Sequence, residues 1–420
     1  MVAILFILFL ALIILGTPIA VSLVSSSLTY LMGATTIPLT VVAQRMFTGA
    51  DSFPLMAVPF FIVAGVLMES GGISKKLIRF ADACLGHRTG GLAMVVIVTS
   101  AFFAAISGSS AATVTAIGMI MIPAMISKGY DRRFAAAVQC CSGQMGIIIP
   151  PSIAMVVFAV STETSISDMF KAGFIPGIFM AICLCTLSYF VCKKRGYVGS
   201  EKSTWKQRAI AFKDAFLAIL MPVLVLGTIY AGVCTPTESA AIAVIYAFVL
   251  GKFVYHELTW KKVIKQFADA AITTATILFL IACACVFAWV LGRLNVPSQV
   301  AAAITSIAHN KIVFLLLVNL LLFIVGMFMD VAPAITILAP LLCPVALGFG
   351  INIIHFGIIM VVNLAVGLCT PPVGINIFLS CQIAEIPFTA ILKDILPFLL
   401  VLILVTLAIT FVPWMSLALL

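Results

Sequence analysis

The sequence predicts an all-α polytopic membrane protein built as two inverted-topology repeats. Three observations predict it: composition, an internal duplication and the placement of charge. Hydrophobic residues make up 64% of the 420 and charged residues 9%, where a soluble chain carries roughly 25% charged residues. The apolar stretches are long runs, without the alternation of a barrel strand.

The duplication shows in the prolines. A shift of 221 carries Pro123 to Pro344, Pro150 and Pro151 to Pro371 and Pro372, Pro176 to Pro397, and Gly146 to Gly367. Both Pro-Pro pairs thus follow a glycine at the same distance. Nearer the start of each half the shift is 218, which places Thr17-Pro18 on Thr235-Pro236 and Gly33 on Gly251. The repeats are residues 1–205 and 206–420. Charge gives their orientation. The clusters Lys75 to Arg88, Lys128 to Arg133, Lys193 to Lys213 and Lys252 to Lys265, with Lys393, hold 19 of the 23 Lys and Arg. Placing them on the cytoplasmic side satisfies the positive-inside bias and leaves Arg45, Lys171, Arg293 and Lys311 outside. Lys75 to Arg88 is then inside while its counterpart, Val296 to His309, is outside. The two copies have opposite topology, a construction found in many secondary transporters.

The elements follow in order. Residues 3–33 and 53–70 read as apolar helices. The first 33 read as retained membrane helix, because they lack a basic n-region and a small-residue cleavage site. Residues 35–51 read as an interfacial arm. Between Arg88 and Lys128 lie about 36 apolar or small residues, where one crossing needs roughly 20. Two crossings leave no room for a turn, and both flanks belong inside. A re-entrant hairpin over 89–127 satisfies both conditions, with SGSSAAT, Ser107 to Thr113, at its tip near mid-bilayer. Backbone polar groups at such a tip must be buried in protein or line a polar cavity. A helix over 133–161 follows, broken by the proline pair. Lys193 to Lys213 is a hydrophilic connector, and its Trp205 and basic residues suit an amphipathic helix on the inner leaflet. Residues 215–251 are again apolar helix. Glu238, just after Thr235-Pro236, reads as a first-turn acid favoured by the helix dipole. Residues 254–268 read as the second arm. A second hairpin spans 311–346, a second broken helix 353–380, and a C-terminal helix 394–420.

The chemistry concentrates at four interruptions. Asp330 is the only acidic residue between Lys311 and Glu385, and it falls on Ser109 under the 221 shift. A carboxylate at membrane depth is a functional candidate by default. It also suits the N-cap of a helix starting near Pro333. Each proline pair removes helix hydrogen bonds and frees upstream carbonyls, at helix ends that carry partial negative charge. Carbonyl and hydroxyl oxygens suit a hard cation such as sodium. The two tips and two breaks therefore compose two pseudo-equivalent cation sites around a substrate cavity. The candidates are Ser107, Ser109, Gly146 and Pro150 in one repeat, and Gly326, Asp330, Gly367 and Thr370 in the other. Helix N-termini after Ser110 and Asp330 favour an anion. Ser110, Thr113, Ser142, Thr336 and Asn363 are candidate substrate contacts, and each could instead bond a neighbouring helix.

Other functional classes are not expected. The twelve cysteines contain no CxxC pair and the four histidines are scattered, so buried free thiols are expected and no transition-metal site. No Walker A motif is present, and no nucleophile–base constellation points to an enzyme. No organic cofactor is expected beside the coupling ion, Na+. The net charge of +9 sits in short loops, which argues for a membrane partner and against nucleic acid.

The runs SGSSAATVTAIGMIMIPAM, GIIIPPSIAMVVFAV, CTPTESAAIAVIYAFV, MDVAPAITILAPLLCPV and HFGIIMVVNLAVGLCTPPVGINIF resemble the large membrane subunit of TRAP transporters, the tripartite ATP-independent periplasmic transporters. The resemblance covers essentially the whole chain. It implies sodium-driven uptake of an organic acid, of the sialic acid or C4-dicarboxylate class, across the bacterial inner membrane. It implies two partners: a periplasmic substrate-binding protein, and a small four-helix membrane subunit expected as a separate polypeptide. It further implies an elevator-type ion-transporter fold, in which a transport part slides on a scaffold. Residues 1–88 and 171–268 would then be scaffold, arms and connector, and 89–170 and 269–393 the transport part. The matching residues are Ser107, Gly108, Ser109 and Ser110, Gly326 and Asp330, the breaks Gly146 to Pro151 and Gly367 to Pro372, and Thr370. The alternative is a stand-alone sodium/carboxylate symporter that needs no binding protein.

Overall fold

The computed structural model describes residues 2–307 and 310–420. Ala308 and His309, at the end of the segment expected outside, lie outside the described residues. The described residues form helices and no strand, and nine of the helices are long and apolar enough to cross a membrane. Side chains such as Ile7, Ile14, Ile245, Leu396 and Leu400 are exposed on their outer faces, as a hydrocarbon solvent allows.

The helices begin where the sequence supplies caps, and the caps repeat. Ser109 and Asp330, one shift apart, each cap the helix after a break. Ala112 N donates to Ser109 Oγ at 3.4 Å and Val331 N to Asp330 Oδ1 at 2.8 Å. Asp131 and Asn352 form a second pair, accepting from Arg133 N and Ile354 N, each at 2.8 Å. In hydrocarbon no water replaces a missing cap, so such side chains fix where the chain restarts. Glu238 closes a capping box with Thr235, in the first-turn role read from the sequence.

The outer layer comprises Ile19–Ala34, Thr40–Ala50, Ala57–Ser70, Ile73–Leu85, Trp205–Tyr230, Pro236–Val249 and Trp260–Arg293. Pro236–Val249 packs on Ala57–Ser70, Trp205–Tyr230 on Ile73–Leu85, and Trp260–Arg293 on both Ile19–Ala34 and Thr40–Ala50. The two arms differ. Thr40–Ala50 is a separate helix because Asp51-Ser52-Phe53-Pro54 interrupts it. Residues 260–268, read as part of an arm, instead begin a continuous helix of 34 residues. No proline or glycine intervenes before Gly292, so nothing ends the helix earlier. At 1.5 Å per residue it is about 51 Å long, beyond a hydrocarbon core of about 30 Å.

The inner layer holds the interrupted elements. Gly91–Ser107 and Ser110–Ser127 form the first helix pair, and Lys311–Phe328 and Val331–Gly348 the second. The helices of the first pair have 17 and 18 residues, about 26 Å at 1.5 Å per residue. The first broken helix is Arg132–Gly143 and Met145–Ile148 followed by Ile153–Ser161, bent by 41°. The second is Ile353–Gly367 followed by Ile375–Ala384. Both proline pairs are joined by cis bonds. Packing crosses between repeats: Ser110–Ser127 rests on Ile375–Ala384, and Val331–Gly348 on Ile153–Ser161. The centre is almost wholly buried, from Phe134 to Pro151 and from Phe356 to Thr370.

Ile166–Arg195, whose residues 171–195 the sequence grouped with the scaffold, packs on Gly91–Ser107 and Phe388–Phe411. An ion pair from Arg195 to the buried Asp394 ties its end to that last helix, and the guanidinium lies 4.9 Å from the Phe134 ring centre.

Candidate functional site

Each tip sits on the break of its own repeat. The first helix pair turns at Gly108, whose φ of +60° suits a residue without a side chain. Ile153 N donates to Gly108 O at 3.3 Å, and a Cβ on Gly108 would come within 3.1 Å of Pro151 O. Ser109 O accepts from Thr113 N at 3.2 Å and from Thr113 Oγ1 at 2.8 Å. Ser107 Oγ lies 3.0 Å from Thr113 Oγ1. Gly146 presses against the Ser109 carbonyl and Thr113 so closely that any side chain would collide. Ser107, Ser109, Thr113 and Gly146 are thereby brought together, with Ser110 next in the chain and with Pro151, to which Pro150 is joined, against Gly108.

The second pair repeats the arrangement with different groups. Gly374 N donates to Met327 O at 3.3 Å. Gly326 and Gly367 meet backbone to backbone, and a Cβ on Gly367 would lie 2.5 Å from Gly326 Cα. Asp330 both caps its helix and stands exposed at a cavity wall. The carbonyls released by the prolines are partly taken up here: Gly367 O accepts from Thr370 N at 2.9 Å, and Leu368 O from Asn376 N at 3.1 Å. Thr370 Oγ1 donates to Val366 O at 2.9 Å.

Between the tips lies a cavity of about 540 Å³. Its wall includes Ser107 to Ala112 of one tip, Asp330 to Ala332 of the other, and Ile147, Ile153, Leu368 and Asn376 of the breaks. The opposite wall comes from the outer layer: Ile62, Gly65 and Val66 of Ala57–Ser70, and Ile272, Thr273, Thr276 and Ile277 of Trp260–Arg293. Asp330 is the one charged residue in this lining, and no basic side chain joins it. A cavity of about 580 Å³ between Tyr30 and Arg293 lies at the edge of the outer layer, away from both breaks.

Four expected substrate contacts do not line this cavity, and the first of them, Thr113, is fully buried behind the tip with its hydroxyl on Ser107 and Ser109. Ser142 Oγ donates to Val138 O at 2.6 Å and Thr336 Oγ1 to Ala332 O at 2.7 Å. Asn363 Nδ2 donates to Asn319 Oδ1 and Ile359 O, both at 2.8 Å, and faces a separate cavity of about 310 Å³. Asn376 was missed. It is fully buried and bonded to Ser110, with Nδ2 and Oδ1 at 2.6 and 2.9 Å from Ser110 Oγ. Its signal in the sequence was a lone amide in an apolar run just after a proline pair. All twelve cysteines are unpaired.

The chain matches the family described as tripartite ATP-independent periplasmic transporter, DctM component, over residues 6–415. It is 43% identical to the isethionate TRAP transporter permease protein DctMQ of Oleidesulfovibrio alaskensis, over 95% of this chain and 63% of that protein. It is 39% identical to the C4-dicarboxylate TRAP transporter large permease protein DctM of Rhodobacter capsulatus, over 99% and 98% of the two chains. The sialic acid TRAP transporter large permease protein SiaM of Vibrio cholerae is 37% identical over 96% and 95%. The solved structure of the Alcanivorax borkumensis YdaH transporter shares the fold, with a TM-score of 0.66 at 20% identity, over 90% of this chain and 88% of that one.

Proposed function

Because the chain belongs to the DctM family of tripartite ATP-independent periplasmic transporters, as a large permease, we propose that it takes up an organic acid anion in symport with sodium. One observation carries the reading: the cavity between the tips holds a single acid and no base. An organic anion entering it meets the Asp330 carboxylate. At 4 Å two like charges repel by about 4 kcal/mol at an effective dielectric of 20. Hydroxyls, the Asn376 amide and the helix N-termini at Ser110 and Val331 favour an anion, but they do not cancel that charge. A cation bound first does, which makes cation binding a condition of substrate binding.

The proposed sodium ligands are Ser107, Ser109, Gly146 and Pro150 at one tip and break, and Gly326, Asp330, Gly367 and Thr370 at the other. Ser110 stands on the substrate side, with Thr113 buried behind it. The substrate is of the class named for the relatives, a small sulfonate, a C4-dicarboxylate or a sialic acid. The partners are a periplasmic binding protein and a small membrane subunit, which the extra length of the DctMQ relative supports. The membrane is the bacterial inner membrane. The two helix pairs act as re-entrant hairpins of inverted repeats, and the inner layer slides as an elevator against the outer one.

The test is uptake into proteoliposomes holding the chain with its small subunit, under an inward sodium gradient. Isethionate, succinate and sialic acid are each supplied, with and without the matching binding protein. Uptake that requires sodium and the binding protein is expected. Uptake indifferent to sodium would reject the symport reading.

A further inference from the structure

Asn376 is a buried side chain of the candidate site whose bonds run into both repeats. Its main-chain N–H donates to Leu368 O at 3.1 Å. Its Nδ2 donates to Cys369 Sγ at 3.4 Å, and Cys369 Sγ in turn donates to Cys140 O at 3.2 Å, on the first broken helix. Its amide also holds Ser110, the first residue of the helix after tip one. One buried amide therefore joins the second break to the first tip. Among the described residues, the hydrogen bonds at tip two run within its own repeat, from Gly374 N to Met327 O and from Val331 N to Asp330.

We propose that Asn376 is a positioning residue that couples the two candidate cation sites, an inference that rests on the sodium reading above. A cation on the oxygens of the second break fixes residues 367–370. Leu368 and Cys369 lie within that stretch and hold Asn376, so Asn376 is fixed with them. Through Ser110 it fixes the first turn after Ser109, whose carbonyl belongs to the other site. Ordering both segments for the first cation leaves less to order for the second, which is positive cooperativity without any new contact. The buried amide cannot give up these partners cheaply, because an unpaired buried polar group costs more than the bond itself contributes.

The experiment needs neither substrate nor partner. The purified full chain in detergent is titrated with sodium chloride against potassium chloride at constant ionic strength, and both bound radioactive sodium and the thermal unfolding midpoint are read, since the midpoint alone rises logarithmically and does not saturate. The wild type should be stabilised by sodium and should bind it along a sigmoidal curve. Asn376→Ala should make the curve hyperbolic and raise half-saturating sodium about tenfold, within the usual range of coupling between sites. Ser110→Ala should do the same, and the double variant should add little, since both remove one link. Asn376→Ser adds no charge and keeps a small polar group, but it is too short to hold both Ser110 and Cys369. It provides the reading if the alanine variant does not fold, and it should lie between the two. Variants that lower the midpoint equally at every sodium concentration, with unchanged steepness, would show a merely structural amide and overturn the inference. A hyperbolic wild-type curve would overturn it too. A wild type that sodium stabilises no better than potassium defeats the sodium reading itself, and is distinguishable from both.

Discussion

At the scale of single residues, one position of the duplicated unit has been given two chemistries. Ser109 and Asp330 both cap the helix after a break, so the fold asks the same of each. Serine meets that request without charge. The carboxylate at Asp330 exceeds it, since a neutral cap would serve the helix as well. Asp330→Asn should therefore keep the cap and the fold while sharply reducing sodium-driven uptake. The thermal midpoint and the initial rate, measured on the same preparation, separate the two effects. A variant that transports with unchanged sodium dependence removes Asp330 from the site. The glycines make the opposite case, where shape decides. Gly367→Ala places a methyl against the Gly326 backbone, and backbone cannot swing aside. A loss of about 1–3 kcal/mol is expected, as for other overpacked cores. Gly227→Ala, with nothing near its missing side chain, should unfold at the wild-type temperature or above. Much of this was legible in the sequence. Prolines, glycines and a lone acid in apolar surroundings carry a strong local cost, so their presence is informative. Asn376 was not singled out because the 221 shift pairs it with the apolar Met155, and its role depends on a partner 266 residues away. Ser142, Thr336 and Asn363 look the same as Ser110 in sequence. Only the structure shows that the first two turn to their own helix carbonyls, and that Asn363 turns to Ile359 O and to Asn319.

At the scale of elements, the interruptions were easier to read than the regular helices. Proline pairs and small polar clusters stop a helix wherever they fall, so the breaks sit where the sequence places them. The second arm shows the converse. Residues 254–268 resemble 35–51 in polarity, but polarity does not end a helix, and without a proline the chain continues for 34 residues. The helix pairs carry a topological prediction of their own. If each is re-entrant, its ends share one face. Single cysteines at Thr89 and Lys128, in a background freed of reactive native thiols, should both react with a membrane-impermeant maleimide from the cytoplasmic side. Cysteines at Asn310 and Phe349, flanking the second pair, should both react from the outside. Reaction of either pair from opposite faces makes that element two ordinary spans and removes the dead-end tip.

At the scale of the whole molecule, the cavity lies on the boundary between two layers. The tips and breaks of the inner layer form one wall, and Ala57–Ser70 and Trp260–Arg293 the other. A site at such a boundary can change the side it faces by sliding one layer along the other, and the sliding surface must then be smooth. Gly65 fits that requirement, because the space for its missing side chain lies against the first tip. A Cβ there would sit 3.8 Å from Ser107 Cβ, the usual Cβ separation of a disulfide at about 3.8 Å. The pair Gly65→Cys and Ser107→Cys therefore offers a clasp across the boundary. In the elevator reading it forms only while the layers hold this relation. Oxidation should arrest uptake in every cross-linked molecule, and a reductant should restore the rate of the reduced double variant. The yield should rise under conditions that hold this orientation and fall under those that favour the other. Undiminished uptake by fully cross-linked protein would mean that the first tip never leaves Ala57–Ser70. Access would then have to alternate by opening of the tips alone, with the second tip, whose bonds stay within its own repeat, as the moving part.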